Sequence, residues 1–450
     1  MLISQLFDSI SIVGLNIVLS KNVSTIRRLV WFSLILFSTG FLCYQITDRI
    51  KYYMKYDTVT KIQVIEHDSL SFPLVTICNE NRIASSKAVK KNLHGIFYKL
   101  WSPIKNYVDD TSVFNYTEEE LTFIKNVKED WNVIYKELSF NMQDIVGECQ
   151  LSFKCLYKGQ NCSSYFKYVA TNMGWCIQFD ATNLPKVSNV GVDDGLNMRL
   201  AVHQDEYLAP NSPGAGYRIL VHEKDEIPLM IEQSLSIGPG QIYSMEATKK
   251  SISALPSPYG TCQDDITYKR RYCLLHCLSQ FVVKSCKCRQ IYMTTNASVC
   301  SPIGILCAER AVDKFMETEL HKDCACKSEC KTVQYEVFTT HARASTFYAQ
   351  AIAEYHKISE RELFDNYCTV VIFFSKLTTM DSKEHPAYNV LALFCDIGGA
   401  FGLMLGATIL TIFELSDAFM KTIILWVRQR KHKVKPLRIT EMLKLESTKS

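Results

Sequence analysis

The sequence has no marked excess of charge of either sign. Its 50 lysines and arginines nearly balance its 46 aspartates and glutamates, leaving a formal net charge of +4. Much of that small excess lies in the last part of the chain, so the composition gives no reason to expect nucleic-acid binding. The sequence also lacks internal repeats and low-complexity segments.

The sequence lacks the local motifs that carry common catalytic chemistry. No G-x-S-x-G, H-E-x-x-H or glycine-rich phosphate loop is present, and the histidines are scattered apart from His203 and His222. A cysteine nucleophile needs an accessible thiolate, whereas the many cysteines here have others nearby with which to oxidise. We therefore expect no enzyme, no cofactor and no bound metal.

Long apolar runs are few, and the first lies near the start of the chain. Residues 29–46 read LVWFSLILFSTGFLCYQI, which is long enough for one membrane-spanning helix. The run follows Arg27 and Arg28 and lacks a small-residue cleavage pattern, so a removable signal peptide is not expected. We place the first transmembrane helix at residues 29–50, after a cytoplasmic segment of residues 1–28.

The second apolar run, residues 389–427, is the stretch around which the chain is organised. Its 39 residues would form a helix roughly 60 Å long, about twice the thickness of a bilayer core. The four-residue spacing of Gly398, Gly402 and Gly406 would let another helix backbone approach closely. We therefore expect a second transmembrane helix that tilts, breaks or extends beyond the lipid.

Three acids lie within this second run. Asp396, Glu414 and Asp417 each need water, a partner or an ion, because carboxylates are costly in lipid. On a helix the three acids lie along one side, with Gly399 and Ala407 between them on the same side. A cation pathway requires such an arrangement. In the alternative interpretation, Asp396 and Asp417 lie at the two membrane interfaces and the glycines serve helix packing.

Flanking charge and cysteine usage set the expected topology. Residues 428–450 are rich in lysine and arginine, which is typical of a cytoplasmic flank, so both termini are expected in the cytoplasm. Residues 51–388 then face outside. Sixteen of the 18 cysteines fall in that region, which indicates disulfides in an oxidising compartment. Three glycosylation sequons lie there too, at Asn115, Asn161 and Asn296.

The cysteines are densest between Cys262 and Cys330, where ten fall within 69 residues, partly as CLLHC, CKC and CAC. Such clusters are also typical of zinc sites. The expected extracellular context favours a nested disulfide ladder instead, which would stiffen a stalk that has little core of its own.

With these features in place, the sequence resembles the degenerin/epithelial sodium channel family, which includes acid-sensing and neuropeptide-gated channels. The similar segments are FPLVTICN (residues 72–79), CLYKGQNC followed by GWCIQFD, PYGTC, and CDIGGAFGLMLGATILTIFEL. They occur in the family's order between the two spans. The resemblance implies an α+β membrane protein with two transmembrane helices, which assembles as a trimer in contact with membrane lipid.

The resemblance also implies a large disulfide-rich ectodomain with a β palm, a β-ball and helical finger, thumb and knuckle regions. The family's cysteine order, carried over to this sequence, implies seven disulfides: Cys78–Cys176, Cys155–Cys162, Cys262–Cys330, Cys273–Cys326, Cys277–Cys324, Cys286–Cys307 and Cys288–Cys300. Two cysteines, Cys149 and Cys368, are left over. Because both would lie on or near palm strands, we hypothesise an eighth bridge between them.

The resemblance assigns roles in the pore as well. The selectivity filter would be Gly406, Ala407 and Thr408, where the second helix is interrupted and backbone carbonyls of three subunits line the constriction. The pore and gate residues would be Cys395, Asp396, Gly398, Gly399 and Gly402, with Glu414 and Asp417 attracting cations at the inner mouth. Cys395 matches the site where bulky residues hold degenerin-type channels open. A contact between Tyr56 and Tyr259 would couple the ectodomain to the gate.

Two departures from the family pattern concern gating. The N-terminal His-Gly pair, tied in the family to the lower pore and to gating, reads Val13-Gly14 here. The histidine pair that acid-sensing members carry reads Asp57-Thr58. Histidine is the side chain that titrates nearest physiological pH, so its loss argues against proton gating.

These residues lead to a functional prediction. The chain is expected to form an amiloride-sensitive, sodium-preferring cation channel of the plasma membrane, as a homo- or heterotrimer opened by an extracellular neuropeptide. The alternatives are a proton-gated sodium channel and an obligate heteromeric subunit that is silent alone. An ATP-gated channel shares the two-span topology, but the DIGG…GAT run argues against it. A nonconducting receptor would keep the spans and disulfides without a continuous pore.

Overall fold

The computed structural model describes residues 17–18, 23–102, 115–151, 162–208, 214–406, 413, 416–417, 419–420 and 423–424. It combines helices and sheets, and the chain divides into two compact units. The first unit comprises Met1–Val59 and His385–Ser450, and the second comprises Thr60–Glu384.

The helices and strands follow one another along the described residues without internal repetition. The helices are α1 (Thr25–Tyr53), α2 (Ser85–Lys90), α3 (His94–Trp101), α4 (Glu118–Asn126), α5 (Trp131–Leu138), α6 (Met142–Ile145), α7 (Met230–Gln233), α8 (Arg270–Cys286), α9 (Pro302–Glu317), α10 (Thr346–His356), α11 (Glu360–Asn366) and α12 (Val390–Leu405). The strands are β1 (Thr58–Glu66), β2 (Leu74–Asn79), β3 (Val146–Leu151), β4 (Phe166–Thr171), β5 (Gly174–Phe179), β6 (Leu196–Ala201), β7 (Tyr217–His222), β8 (Leu235–Ile237), β9 (Gln241–Ser253), β10 (Lys331–Arg343) and β11 (Tyr367–Pro386).

The larger sheet has the strand order β10-β9-β11-β6-β3, and β1 pairs with β11. Its central pair, β9 and β11, is parallel, while β10 and β6 run antiparallel to their neighbours. The register between β9 and β11 shifts between Phe374 and Thr379. β11 therefore pairs with three other strands of this sheet, β9, β6 and β1.

The smaller sheet has the order β4-β5-β2-β7-β8 and is antiparallel throughout. Its middle strand β2 is buried at every position, which explains why this part of FPLVTICN reads as a continuous run rather than an alternating one. The ring of Phe72 lies 6.2 Å from that of Phe179 and 5.8 Å from that of Phe374, edge to face in both cases. Since Phe179 belongs to β5 and Phe374 to β11, Phe72 joins the two sheets in one core.

A helical lobe precedes β3. The acid-rich start of α4 is capped by Thr117, whose hydroxyl accepts from the Glu120 N–H at 3.2 Å while the Glu120 carboxylate accepts from the Thr117 N–H at 2.8 Å. The region from Thr117 to Leu138 forms two helices rather than one. Val127 is extended, and Asp130 caps a new helix by accepting from the Asn132 N–H at 3.0 Å.

Disulfides hold α8 and α9 to the chain that follows them. Cys273 and Cys277, four residues apart on one side of α8, bond Cys326 and Cys324, which lie two residues apart. Four further disulfides are formed: Cys78–Cys176, Cys262–Cys330, Cys286–Cys307 and Cys288–Cys300. Six of the seven predicted pairs are therefore present, and the seventh, Cys155–Cys162, involves residue 155, outside the described residues.

The hypothesised bridge between Cys149 and Cys368 is wrong. Cys368 is a buried free thiol on β11, opposite Leu200 of β6, whereas Cys149 on β3 is opposite Met198 of the same strand. Because β6 lies between the two cysteine strands, they are separated by about two strand spacings, roughly 9–10 Å, beyond disulfide reach. Burial raises the pKa of Cys368 to about 12, so its thiol stays protonated and inert.

Candidate functional site

The candidate site lies in the first unit and is built on α1 and α12. α1 is the one described helix that is long and apolar enough to cross a membrane, with 29 residues from Thr25 to Tyr53. Leu42 is its only buried residue, while large apolar side chains such as Leu29 and Phe37 are 60% and 73% exposed. Such a surface needs lipid or protein to cover it.

α12 begins and ends at residues suited to those positions. The Asn389 side chain caps it by accepting from the Ala392 N–H at 2.8 Å. Its last helical residue is Leu405, because Gly406 adopts a left-handed conformation at φ +64° and donates its N–H to the Gly402 carbonyl at 3.0 Å. The helix therefore stops at the first residue of the predicted filter.

Beyond Gly406 the structure describes few residues. Positions 413, 416–417, 419–420 and 423–424 are helical, so helical backbone resumes after the stop. Asp417 is one of these positions and is exposed. Ala407, Thr408 and Glu414 lie outside the described residues, as do Val13 and Gly14 at the other end of the chain. Their roles in the filter, inner mouth and gate stay predictions.

The two long sides of α12 differ in their surroundings. One side packs on α1 and carries the partly buried residues Leu393, Ile397, Ala400 and Met404. The opposite side is exposed and carries the predicted gate residues Cys395, Gly398, Gly399 and Gly402. A Cβ atom added at Gly398 or Gly399 would meet nothing within 4 Å. Within one protomer, these glycines are thus not required for packing on α1.

Asp396 borders the α1 side of α12 and has one partner on α1 and another just before the start of α12. Its carboxylate accepts from the Tyr388 hydroxyl at 2.7 Å and lies 4.0 Å from the Arg49 guanidinium of α1. The same guanidinium pairs with Asp48 at 2.7 Å. The cost of a carboxylate near the lipid, noted from the sequence, is therefore offset by a hydrogen bond and a nearby cation.

An aromatic contact accompanies this polar one. The Tyr52 and Tyr388 rings meet edge to face at 5.2 Å, and the Arg49 guanidinium lies over the Tyr52 ring at 5.9 Å. Partial desolvation, and then the hydrogen bond to Asp396, raise the pKa of Tyr388 to about 12, so its phenol donates at every physiological pH. We call Arg49, Tyr52, Tyr388 and Asp396 the outer cluster.

Three members of the outer cluster were not predicted from the sequence. Asp396 was singled out because an acid in an apolar run needs a partner, but no pattern identifies Arg49, Tyr52 or Tyr388 as that partner. The available signal was position: both apolar runs have charged and aromatic residues near the end that is expected to lie outside the cell.

The remaining predicted site residues lie elsewhere. Tyr56 belongs to the first unit and has a left-handed backbone at φ +52°, while Tyr259 belongs to the second. Their coupling contact stays a prediction. Asn115 and Asn296 are exposed, and Asn161 lies outside the described residues, so glycosylation also stays a prediction.

Comparison with known proteins identifies the class to which these features belong. The family model described as "Amiloride-sensitive sodium channel" matches residues 6–417, nearly the whole chain. The chain therefore belongs to the amiloride-sensitive sodium channel family, also called the degenerin/epithelial sodium channel family. It is a membrane cation channel protein with a disulfide-rich ectodomain of mixed helices and sheets.

Individual relatives are similar along most of their length. Acid-sensing ion channel 1A of Danio rerio is 29% identical over 90% of this chain and 85% of its own. Acid-sensing ion channel 1 of Gallus gallus is 28% identical over 90% of this chain and 81% of its own, and acid-sensing ion channel 2 of Mus musculus is 29% identical over 87% and 81%.

The outer cluster allows a test of its role in gating. Replacing Tyr388 with phenylalanine removes one hydrogen bond to Asp396, which we expect to change the stimulus concentration for half-maximal opening by about two- to tenfold. The measurement is a dose–response curve recorded from oocytes, with Tyr53→Phe as the matched control on α1. If Tyr388→Phe has the same effect when Asp396 is already alanine, which offers no acceptor, the hydrogen bond is not the cause.

Proposed function

We propose that this chain forms a trimeric, amiloride-blocked, sodium-preferring channel of the plasma membrane, opened by extracellular protons. Both termini would be cytoplasmic, and the subunits would be identical or closely related. The observation that carries the proposal is the similarity to acid-sensing ion channels along about nine-tenths of the chain. Proton gating was the alternative in the sequence analysis, and this similarity favours it over peptide gating.

The arrangement of α12 supports the conducting part of the proposal. Its glycine-rich side is exposed in one protomer and available to two further copies, and its helix stops at Gly406. Three such stops would bring backbone carbonyls together at one level, where they replace part of the hydration shell of the ion. Acids at the two ends of the run, Asp396 and Asp417, would raise the local concentration of cations.

Several ionisable groups of the described ectodomain are unsuited to sensing mild acid. Hydrogen bonds and lysines outweigh partial burial and lower the pKa of Glu120 and Glu206, and that of Asp180 to about 2. These carboxylates stay ionised well below the physiological range. We therefore assign the sensor to none of them.

His222 is unsuited for a different reason. It is 2% exposed, with ring nitrogens against the Thr76 hydroxyl at 2.9 Å and the Glu223 carbonyl at 3.0 Å. Burial lowers the pKa of His222 to about 4, so it stays neutral in mild acid. The folded state takes up this proton less readily than the unfolded chain, so His222 supplies stability that is lost as the pH falls from about 6.5 towards 4.

One observation keeps peptide gating as a second candidate. The two residues after Tyr56 are Asp57 and Thr58, so the segment leading out of α1 carries no imidazole where acid-sensing members have two. The Asp57 carbonyl accepts from the Ala387 N–H at 2.8 Å, which ties the chain after α1 to the chain before α12. A stimulus acting near this connection would reach both helices.

The deciding experiment is two-electrode recording from oocytes that express this chain alone. We expect a step from pH 7.4 to about pH 5 to open an inward sodium current that amiloride blocks. The variant carrying Asp57→His and Thr58→His should respond at a pH closer to neutral. Current evoked by short amidated peptides but not by acid would instead support peptide gating. Silence under both stimuli, despite surface expression, would indicate an obligate heteromeric subunit or a nonconducting one.

A further inference from the structure

A cavity in the second unit is lined by an unusual set of hydrogen-bond donors. It lies among α3, α5, the start of β5 and the chain between α8 and α9, and its inner space is about 50 Å³. Arg82, Trp101 and Trp175 contribute to its wall, together with Tyr135 and Tyr292. We call it the donor cavity. It is separate from the outer cluster and from the predicted filter.

Three N–H groups on residues that line the donor cavity lack an acceptor in the described part of the chain. The Nε of Arg82 and the Nε1 atoms of Trp101 and Trp175 are shielded from the surface, and no acceptor among the described residues bonds them. The Arg82 guanidinium lies over the Trp101 ring, 5.1 Å from its centroid. Buried donors are almost always satisfied in proteins, so three unsatisfied ones around one small space point to a ligand that accepts.

The positive charge of Arg82 is also incompletely balanced. No ion pair joins Arg82 to a carboxylate in the part of the chain that the structure describes, and Glu309 acts on it only through longer-range attraction. Partial burial of the side chain lowers the pKa of Arg82. A guanidinium nevertheless stays protonated, so the cavity keeps a net positive wall.

The neighbouring polar groups do not supply the missing acceptor. The Tyr135 hydroxyl donates to the Cys300 carbonyl at 3.0 Å. The Asn172 side chain uses its oxygen to accept from the Met230 N–H at 2.9 Å and its nitrogen to donate to Glu232 at 2.8 Å. Burial raises the pKa of Tyr292 to about 12, so its phenol keeps its proton.

From the cation, the three donors and the size of the space, we infer that the donor cavity binds a small monovalent anion, either a halide or a small carboxylate. A single guanidinium with indole N–H groups matches one negative charge, and about 50 Å³ leaves room for a small ion with little accompanying water. The walls come from the helical lobe on one side and from the chain joining α8 to α9 on the other. A bound anion would therefore stabilise the packing between them.

The test uses the purified full-length channel and needs no gating stimulus. The thermal unfolding midpoint is measured in sodium gluconate, chloride and formate at equal ionic strength. We expect the small anions to raise the midpoint of the wild type by several degrees over gluconate, which is too large for the cavity. Arg82→Gln should abolish the rise. Lys136→Gln should retain it, because Lys136 lies over the Trp175 ring at 5.3 Å and carries the same charge without lining the cavity.

The chloride and formate results identify the kind of anion, and a second measurement covers the case in which the variant fails to fold. A rise with formate alone assigns the site to carboxylates, and a rise with chloride alone assigns it to halides. If Arg82→Gln does not fold, crystals of the wild-type channel decide: after a rise with chloride the site requires an anomalous bromide peak, and after a rise with formate alone it requires formate density, within about 4 Å of the Arg82 and indole nitrogens. Equal wild-type midpoints in all three salts, or the same rise in Arg82→Gln as in the wild type, would overturn the inference.

Discussion

Replacing Cys395 with phenylalanine is expected to give a constitutive inward sodium current that amiloride blocks. Cys395 lies on the exposed side of α12, next to Asp396 and close to Gly398 and Gly399, where an added Cβ atom meets nothing within 4 Å. In a trimer this side would face its counterparts, and a bulky ring would fit poorly between closely packed glycine surfaces. A penalty of about 1.4 kcal/mol on the closed state already raises the ratio of open to closed channels tenfold.

The matched control for this experiment is Cys43→Phe. Cys43 is also an exposed cysteine in an apolar helix, but it lies on α1 and not on α12. The expected pattern is steady current in Cys395→Phe and none in Cys43→Phe without a stimulus, recorded with equal surface expression. Steady current in both variants would mean that bulk anywhere in the membrane unit opens the channel, and the assignment of this side of α12 to the gate would fail.

Removing the Cys262–Cys330 disulfide is expected to destabilise the ectodomain strongly. This bond closes a separation of 68 residues that contains α8, α9 and four other disulfides. The Cys273–Cys326 bond already closes most of this segment in the unfolded chain, so the Cys262–Cys330 bond closes an effective loop of about 15 residues, for which the chain-entropy model gives about 3 kcal/mol. The Cys262→Ser/Cys330→Ser channel should unfold at a lower temperature than the wild type and reach the cell surface in smaller amounts.

A second disulfide provides the comparison. Cys288–Cys300 spans only 12 residues, for which the same model gives about 3 kcal/mol. Its double-serine variant should therefore lose a similar amount of stability, with an unfolding midpoint and a surface fraction close to those of the Cys262→Ser/Cys330→Ser variant, measured on the full-length protein. A clear difference between the two variants would show that local packing, rather than loop closure, dominates the contribution of these bonds.

The sequence alone was most informative where a residue pattern has one common structural role, as a long apolar run does in a membrane helix and extracellular cysteines do in disulfides. The apolar run near the N-terminus predicted α1, and the cysteine order, read through the family resemblance, predicted the pairs now seen around α8 and α9. Helix boundaries were harder. The break between α4 and α5 follows from the Asp130 cap, and α10 and α11 are separated by a left-handed Lys357 and the Ser359 cap. Such capping residues are common in the sequence, so few of them can be recognised in advance.

Contacts distant in sequence were beyond prediction. Cys149 and Cys368 were paired as two leftover cysteines, but β6 lies between their strands, and strand order is not encoded in local patterns. The outer cluster joins Arg49 to Asp396 across more than three hundred residues. The donor cavity likewise assembles Arg82, Trp101 and Trp175 from separate segments, none of which carries a recognisable binding motif.

The register shift in β11 limits how the length of this strand can change in evolution. From Phe374 to Thr379 the chain advances five residues, while its partner β9 advances only two, from Ala247 to Lys249. Because the excess of three is odd, the buried positions change from even numbers, such as Ile372, to odd ones, Thr379 and Asp381. Losing or gaining one residue here would move the side chains after the shift, such as Thr379 and Asp381, from the buried face of the sheet to the exposed face. Natural length variants should therefore differ at this point by two residues.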